Sequence, residues 1–106
     1  MHVRTASFAG RADKIKEMEA HLDVIKPKLS SIPGVVCVYT TWNEDGSGLV
    51  FAMYESKQAA DAALPTVSEV WAEMAPFLTA PPAISEFATA VKLAGSAGHV
   101  WQYPRD

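Results

Sequence analysis

Two neighbouring apolar runs, at positions 35–42 and 48–55, dominate the hydrophobic pattern of the chain. Both runs are rich in β-branched and aromatic residues, and a five-residue connection with an Asp45-Gly46 step joins them. This combination predicts a β-hairpin. A half-buried hairpin alternates apolar and polar residues. Here both alternating sets of positions are apolar, so we expect both faces of the sheet to be covered.

Apolar residues at helical spacing predict a long first helix. A strand over 2–9 precedes it, and the helix runs from Asp13 to about Ser31. Asp13 is expected to cap the helix, and Pro27 to kink or loosen its last turn. The residues of the apolar stripe recur every three or four positions. They are Ile15, Met18, Leu22, Ile25, Leu29 and Ile32.

The second helical region is predicted in two pieces. Ser56 can cap a short alanine-rich helix over 57–64. After the proline that follows, Thr66 and Glu69 match a capping box, which predicts the start of the second piece. Pro76 is expected to end or bend this second piece.

The order of these elements predicts an α+β, ferredoxin-like β-α-β-β-α-β domain with a four-stranded antiparallel sheet. A last strand over 82–93 completes the domain, which spans residues 1–94 and leaves 95–106 as a C-terminal tail. Helices cover one sheet face, and no chain is left for the other. A second copy packed face to face covers it most economically, as a homodimeric α/β barrel. The tail aromatics Trp101 and Tyr103 are expected to dock on the partner subunit.

Composition narrows the partners and the compartment. The 106 residues carry a formal net charge of −3 and no run rich in lysine or arginine, so we expect neither a nucleic-acid nor a membrane partner. The lone Cys37 cannot form an internal disulfide, which indicates a cytoplasmic protein. His2, His21 and His99 are too scattered for a zinc site, so no metal is expected.

Three segments carry a resemblance to a known family. The segments are Ile32-Pro33-Gly34-Val35-Val36, Phe51-Ala52-Met53-Tyr54-Glu55-Ser56 and the stretch from Trp71 to Leu78-Thr79-Ala80-Pro81-Pro82. Over about residues 1–93 the chain resembles the antibiotic-biosynthesis monooxygenase-like family of the dimeric α/β-barrel superfamily. The resemblance implies paired ferredoxin-like subunits. It also implies activities that include cofactor-free oxygenation of quinol-like aromatics, haem degradation and small isomerisations.

The resemblance is incomplete at the positions that carry specific activities. Trp71 matches the helix tryptophan of the aromatic-polyketide oxygenases, but Val67 stands near their asparagine and Phe77 near their tyrosine. The haem-degrading members use an asparagine on the first strand, where this chain offers Thr5 and Ser7. No histidine lies between the helix tryptophan and the tail. Both activities therefore lack polar partners seen in the family.

Aromatic side chains are the main candidates for binding a ligand. Trp71 shares its helical stripe with Met74 and Phe77, so it either packs in the core or lines a cavity for a flat ligand. Tyr39 and Tyr54 lie on apolar strands, where a buried hydroxyl needs a partner from the core or from a ligand.

Charged candidates are fewer. His21 flanks the apolar stripe of the first helix and is either a boundary residue or a general base. Arg4 is expected to pair with Glu86, because the first and last strands are neighbours in this topology; it either forms a structural ion pair or binds an anionic or phenolate oxygen. Cys37 is most simply a small buried apolar residue.

These observations support one leading hypothesis and two others. The leading one is a small dimeric protein with an apolar pocket in each subunit, acting as a cofactor-free monooxygenase-like enzyme on a small aromatic substrate. The alternative is a non-catalytic dimeric module of the same fold, with a ligand-binding or stress-associated role. A haem-binding protein is the third, and the missing histidine speaks against it. No cofactor is expected.

Overall fold

The computed structural model describes residues 1–95, and the predicted tail with Trp101 and Tyr103 lies outside this range. The elements are β1 (His2–Ala9), α1 (Ile15–Ser30), β2 (Val35–Trp42), β3 (Ser47–Tyr54), α2 (Lys57–Ala62), α3 (Leu64–Met74) and β4 (Ala83–Phe87). Short 3-10 turns at Ala12–Lys14 and Ala75–Phe77 precede α1 and follow α3. Within residues 1–95, no helix combines the length and apolar character needed to cross a membrane.

The four strands form one antiparallel sheet in the order β2-β3-β1-β4. The register pairs Arg4 of β1 with Ala52 of β3 on one side and with Glu86 of β4 on the other. The two central strands are thus not consecutive in the chain, as two interlocked βαβ halves require. This confirms the predicted ferredoxin-like α+β fold.

The hairpin connection between β2 and β3 forms as its sequence predicts. The Asp45 carboxylate accepts hydrogen bonds from the Ser47 backbone N–H at 2.9 Å and from the Ser47 hydroxyl at 2.6 Å. Gly46 has a φ of 90°, a conformation that residues with a Cβ rarely adopt. The step Asp45-Gly46 therefore encodes the turn through a side-chain bond and a positive φ.

The first helix begins differently from the prediction. Asp13 lies inside the 3-10 turn Ala12–Lys14 and makes no capping hydrogen bond, so the predicted N-cap is wrong. The backbone closes this turn itself, because the Lys14 N–H donates to the Arg11 carbonyl at 2.9 Å. The chain stays helical through Pro27 to the end of α1.

The second helical region is divided in two, as predicted. The predicted N-cap of its first helix is confirmed, and that of its second helix is wrong. The Ser56 hydroxyl accepts from the Ala59 N–H at 3.1 Å, as predicted. However, α3 begins at Leu64, so Thr66 lies inside the helix instead of capping it. Pro65 lies in the first turn, where a backbone N–H would have no acceptor within the helix, so proline is tolerated there.

The last strand is shorter than predicted, since β4 covers Ala83–Phe87 and not 82–93. It pairs with Val3–Ser7 of β1. One position beyond this register lies His2, where β1 itself begins. Alternation of side chains alone cannot extend a strand beyond the end of the strand that pairs with it.

The core lies between the helices and one sheet face, here called the inner face. One buried cluster joins α1 to α3 and the other joins the inner face to α2. The first contains Met18, Ile25, Val70, Met74 and Leu78, and the second Ile32, Ala52, Tyr54, Ala60 and Ala63.

The opposite side of the sheet, here called the outer face, is also apolar, and among residues 1–95 several of its large side chains are exposed. Register places Phe51 and Met53 there beside Leu49, which is 43% exposed. Tyr39 and Phe87 lie on the same face and are 39% and 52% exposed. An apolar surface of this kind marks an interface more often than a free surface.

Candidate functional site

A cavity of about 1160 Å³ lies between the helices and the inner face, here called the helix–sheet cavity. Its walls are mostly apolar. The helices contribute Leu22, Ile25, Leu29, Val67, Val70, Trp71 and Met74, and the sheet contributes Phe8, Val38, Val50 and Ala52.

Trp71 is the largest side chain that α3 presents to this cavity. It is half-buried, packs against the first core cluster and stands 6.3 Å from the Phe8 ring, centroid to centroid, at an interplanar angle of 55°. Val67 lies one turn earlier on the same wall and is apolar. Trp71 is therefore both a packing residue and a flat surface at the edge of the cavity.

Arg4, Tyr54, Asp61 and Glu86 also line the cavity and are here called its polar end. The Arg4 side chain is only 7% exposed. Its guanidinium donates to the Ala60 carbonyl and to Glu86 Oε1, both at 2.9 Å, and to Asp61 Oδ1 at 3.4 Å. The predicted pair between β1 and β4 is confirmed, and the same arginine also ties α2 to the sheet.

Both carboxylates of the polar end are held in the ionised form. Hydrogen bonds from His2, at 2.9 Å, and from Arg4 lower the pKa of Glu86. A hydrogen bond from Lys57, at 2.8 Å, lowers the pKa of Asp61. At neutral pH the buried guanidinium therefore already faces two negative charges.

Tyr54 supplies a neutral hydroxyl beside this cluster. The residue is 1% exposed, and the Arg4 guanidinium carbon lies 5.9 Å from its ring centroid. Burial raises the pKa of Tyr54, and the charge of Arg4 and a hydrogen bond from it oppose that shift. The phenol is therefore protonated at neutral pH and can donate a hydrogen bond.

Three candidates from the sequence lie apart from this arrangement. Tyr39 borders the cavity, but its register beside Phe51 places its side chain on the outer face. His21 and Phe77 are not among the described residues that line the cavity. Their rings pack together at 5.7 Å, and His21 Nε2 lies 3.1 Å from Glu73 Oε1. The structure thus brings together Trp71, Met74, Tyr54 and Arg4 only.

Sequence reasoning missed Asp61 and His2 as members of the charged cluster. Asp61 is the lone acidic residue in the short alanine-rich helix. It follows Lys57 by four positions, a spacing that predicts an ion pair on one helix face and could have drawn attention to it. His2 reaches Glu86 because it lies on the same sheet face as Arg4.

Cys37 is half-buried on the outer face. Burial raises the pKa of its thiol, and a backbone hydrogen bond from Met53 partly offsets this shift. A raised pKa disfavours the nucleophilic thiolate. Within residues 1–95 no group of three or more His, Cys, Asp or Glu side chains is placed to hold a metal ion.

Comparison with known proteins identifies the fold. No family model and no curated protein matches the chain. Solved structures do match. Rv0793 from Mycobacterium tuberculosis is 22% identical with a TM-score of 0.70, over 88% of this chain and 98% of that one. A monooxygenase from the gene ActVA-Orf6 of Streptomyces coelicolor, solved with the ligand nanaomycin D, is 22% identical with a TM-score of 0.67, over 90% and 92%.

A third match points in the same direction. A Caulobacter crescentus protein, whose name provisionally places it among the antibiotic biosynthesis monooxygenases, is 21% identical with a TM-score of 0.70, over 85% of this chain and 90% of that one. At these identities the likeness concerns the fold. The chain has the ferredoxin-like fold of antibiotic-biosynthesis monooxygenase-like proteins, in agreement with the resemblance in its sequence.

Proposed function

We propose that this chain is a small monooxygenase-like enzyme that binds an aromatic molecule in the helix–sheet cavity. One observation carries the proposal: a flat aromatic side chain, Trp71, and the hydrogen-bonding groups of Arg4 and Tyr54 border the same apolar cavity. Apolar walls with a few polar groups are typical of sites for small organic ligands. Structures of the same fold that bear monooxygenase names support the choice of reaction.

The reaction class needs no electron donor besides the substrate. In an anthrone-like substrate, the activated methylene between the aromatic rings loses a proton, and the resulting anion reduces O2. One oxygen atom becomes the carbonyl of the product, and the other leaves as water with both methylene hydrogens. The protein would exclude water and orient the ring, with Trp71 stacked on it and Tyr54 or Arg4 hydrogen-bonded to its oxygen.

Oxygen uptake by metal-free protein tests this proposal with a panel of hydroquinones and anthrone-like aromatics. We expect wild-type uptake to fall at least about tenfold in Trp71→Ala and much less in Trp71→Phe, which keeps an aromatic face. Phe77→Leu is the matched control, because it changes a ring on the same core cluster but outside the described cavity lining.

The outcomes separate the enzyme from its alternative. Equal uptake in all these proteins contradicts the role of Trp71. Binding of the panel without any uptake contradicts the enzyme and favours the ligand-binding module, since the same cavity then serves binding alone.

We further propose that a second copy of the chain covers the outer face. The exposed Leu49, Tyr39 and Phe87 support this, because two such faces can bury each other around a two-fold axis. Light scattering should then give twice the chain mass of 11.4 kDa at micromolar concentration. Leu49→Glu should shift the mass to that of one chain, whereas Val24→Glu on the exposed side of α1 should leave it unchanged. A wild-type mass near 11.4 kDa contradicts the dimer.

A further inference from the structure

The charge balance at the polar end bears on which ligands the cavity accepts. Among the described lysines and arginines, Arg4 is almost fully buried, and it already binds Glu86, Asp61 and a backbone carbonyl. Lys57, which pairs with Asp61 from outside, has a side chain that is 70% exposed. Charges in water are screened far more than buried ones. Glu86 and Asp61 are about half exposed and are screened in part, but both contact the buried guanidinium directly. Arg4 is therefore already paired with two carboxylates before any ligand binds.

We propose that Glu86 and Asp61 make this cavity selective for neutral ligands that carry a hydroxyl or carbonyl group, and make it reject carboxylates. The inference rests on the proposed ligand site but not on its chemistry. An incoming carboxylate would have to displace Glu86 from Arg4 or lie beside two like charges. An amide, phenol or ketone carries no such penalty.

The hydrogen-bonding pattern favours a hydroxyl in particular. Within residues 1–95 both bonds to Glu86 end on Oε1, from His2 and from Arg4, so the described residues donate nothing to Oε2. A carboxylate oxygen of this kind accepts a bond from a ligand hydroxyl. The protonated Tyr54 lines the same cavity and offers a hydrogen-bond donor to a ligand oxygen.

Calorimetric titration with three matched probes tests the proposal at pH 7: 2-naphthol, 2-naphthamide and 2-naphthoate. The amide and the carboxylate have nearly the same shape, so their affinity ratio isolates the charge. We expect 2-naphthamide and 2-naphthol to bind at least about tenfold more tightly than 2-naphthoate. In Glu86→Gln the affinity for 2-naphthoate should rise. The ratio of the 2-naphthamide affinity to the 2-naphthoate affinity should fall by about threefold or more.

Glu73→Gln is the control, because Glu73 is also a carboxylate that pairs with a histidine, yet it is not among the described residues lining the cavity. It should leave all three affinities unchanged. Equal wild-type affinities for amide and carboxylate overturn the proposal, and so does an unchanged ratio in Glu86→Gln. A narrowed ratio in Glu73→Gln overturns it as well, since the effect is then one of net charge.

Failure here differs from failure of the proposed enzyme. Equal binding of all probes leaves the cavity and its chemistry intact and refutes only the selectivity. Selective binding without oxygen uptake from any aromatic refutes the enzyme and supports the selectivity. No binding of any probe overturns the ligand site, and with it both proposals.

Discussion

Replacing Arg4 with methionine tests whether the polar end also holds the sheet and helices together. Arg4 lies on β1, and its guanidinium contacts Glu86 on β4 and both Ala60 and Asp61 on α2. Every residue of β4 is exposed, so few apolar contacts secure this edge strand. Methionine keeps a long unbranched side chain and removes only the charged donors.

The magnitude follows from how well water can replace each lost contact. Ala60 is fully buried, and its bond from the guanidinium is charge-assisted, which is worth about 1.5–3 kcal/mol. The carboxylates of Glu86 and Asp61 are about half exposed, so water takes the place of Arg4 and their share is small. We expect Arg4→Met to lower the free energy of unfolding by about 2–3 kcal/mol.

Urea unfolding followed by circular dichroism measures this change at one fixed protein concentration, because association would shift the apparent stability. Arg11→Met is the matched control, since Arg11 is exposed and precedes the first helical turn. It should stay within about 0.5 kcal/mol of the wild type. A change of that small size for Arg4→Met would refute the reasoning, because the guanidinium would then not tie the three elements together.

Two further predictions concern packing and pH. Gly48→Ala should destabilise the protein by about 1–3 kcal/mol in urea unfolding, because its Cβ would overlap the Thr41 carbonyl oxygen; wild-type stability would contradict this. Hydrogen bonds from Lys28 and from His21 lower the pKa of Glu73, so its contribution is present above the ordinary carboxyl pKa and lost as pH falls through the lowered one. The stability gap between wild type and Glu73→Gln should therefore vanish in acid and open towards pH 7, whereas a gap independent of pH would exclude this linkage.

Local periodicity by itself determined α1 and the hairpin. In α1 the spacing of Met18 and Ile25 places both on one face, whatever the helix packs against, and both are buried. In the hairpin, β-branched runs and the Asp45-Gly46 step specify the strands and the turn without reference to the rest of the chain. Their order along the chain was enough to predict the ferredoxin-like sheet.

Element ends depended on neighbours that the sequence does not show. Alternation over 82–93 predicts a long strand, but β4 ends at Phe87 because the paired strand begins at His2. The capping box at Thr66 was locally sound, yet the helix starts one turn earlier with Pro65 in its first turn. Both outcomes reflect which backbone groups find partners once the elements pack.

The candidate site was also predictable from the sequence only in part. Its aromatic member, Trp71, and the pair of Arg4 with Glu86 were predictable, since helical spacing and strand order are properties of the chain. Only the tertiary structure shows that Asp61 lies beside Arg4 and that His21 lies outside the cavity lining, beside Glu73. The physical reason is distance: these contacts join residues more than 50 positions apart, and their geometry follows from how α2 and α3 pack on the sheet.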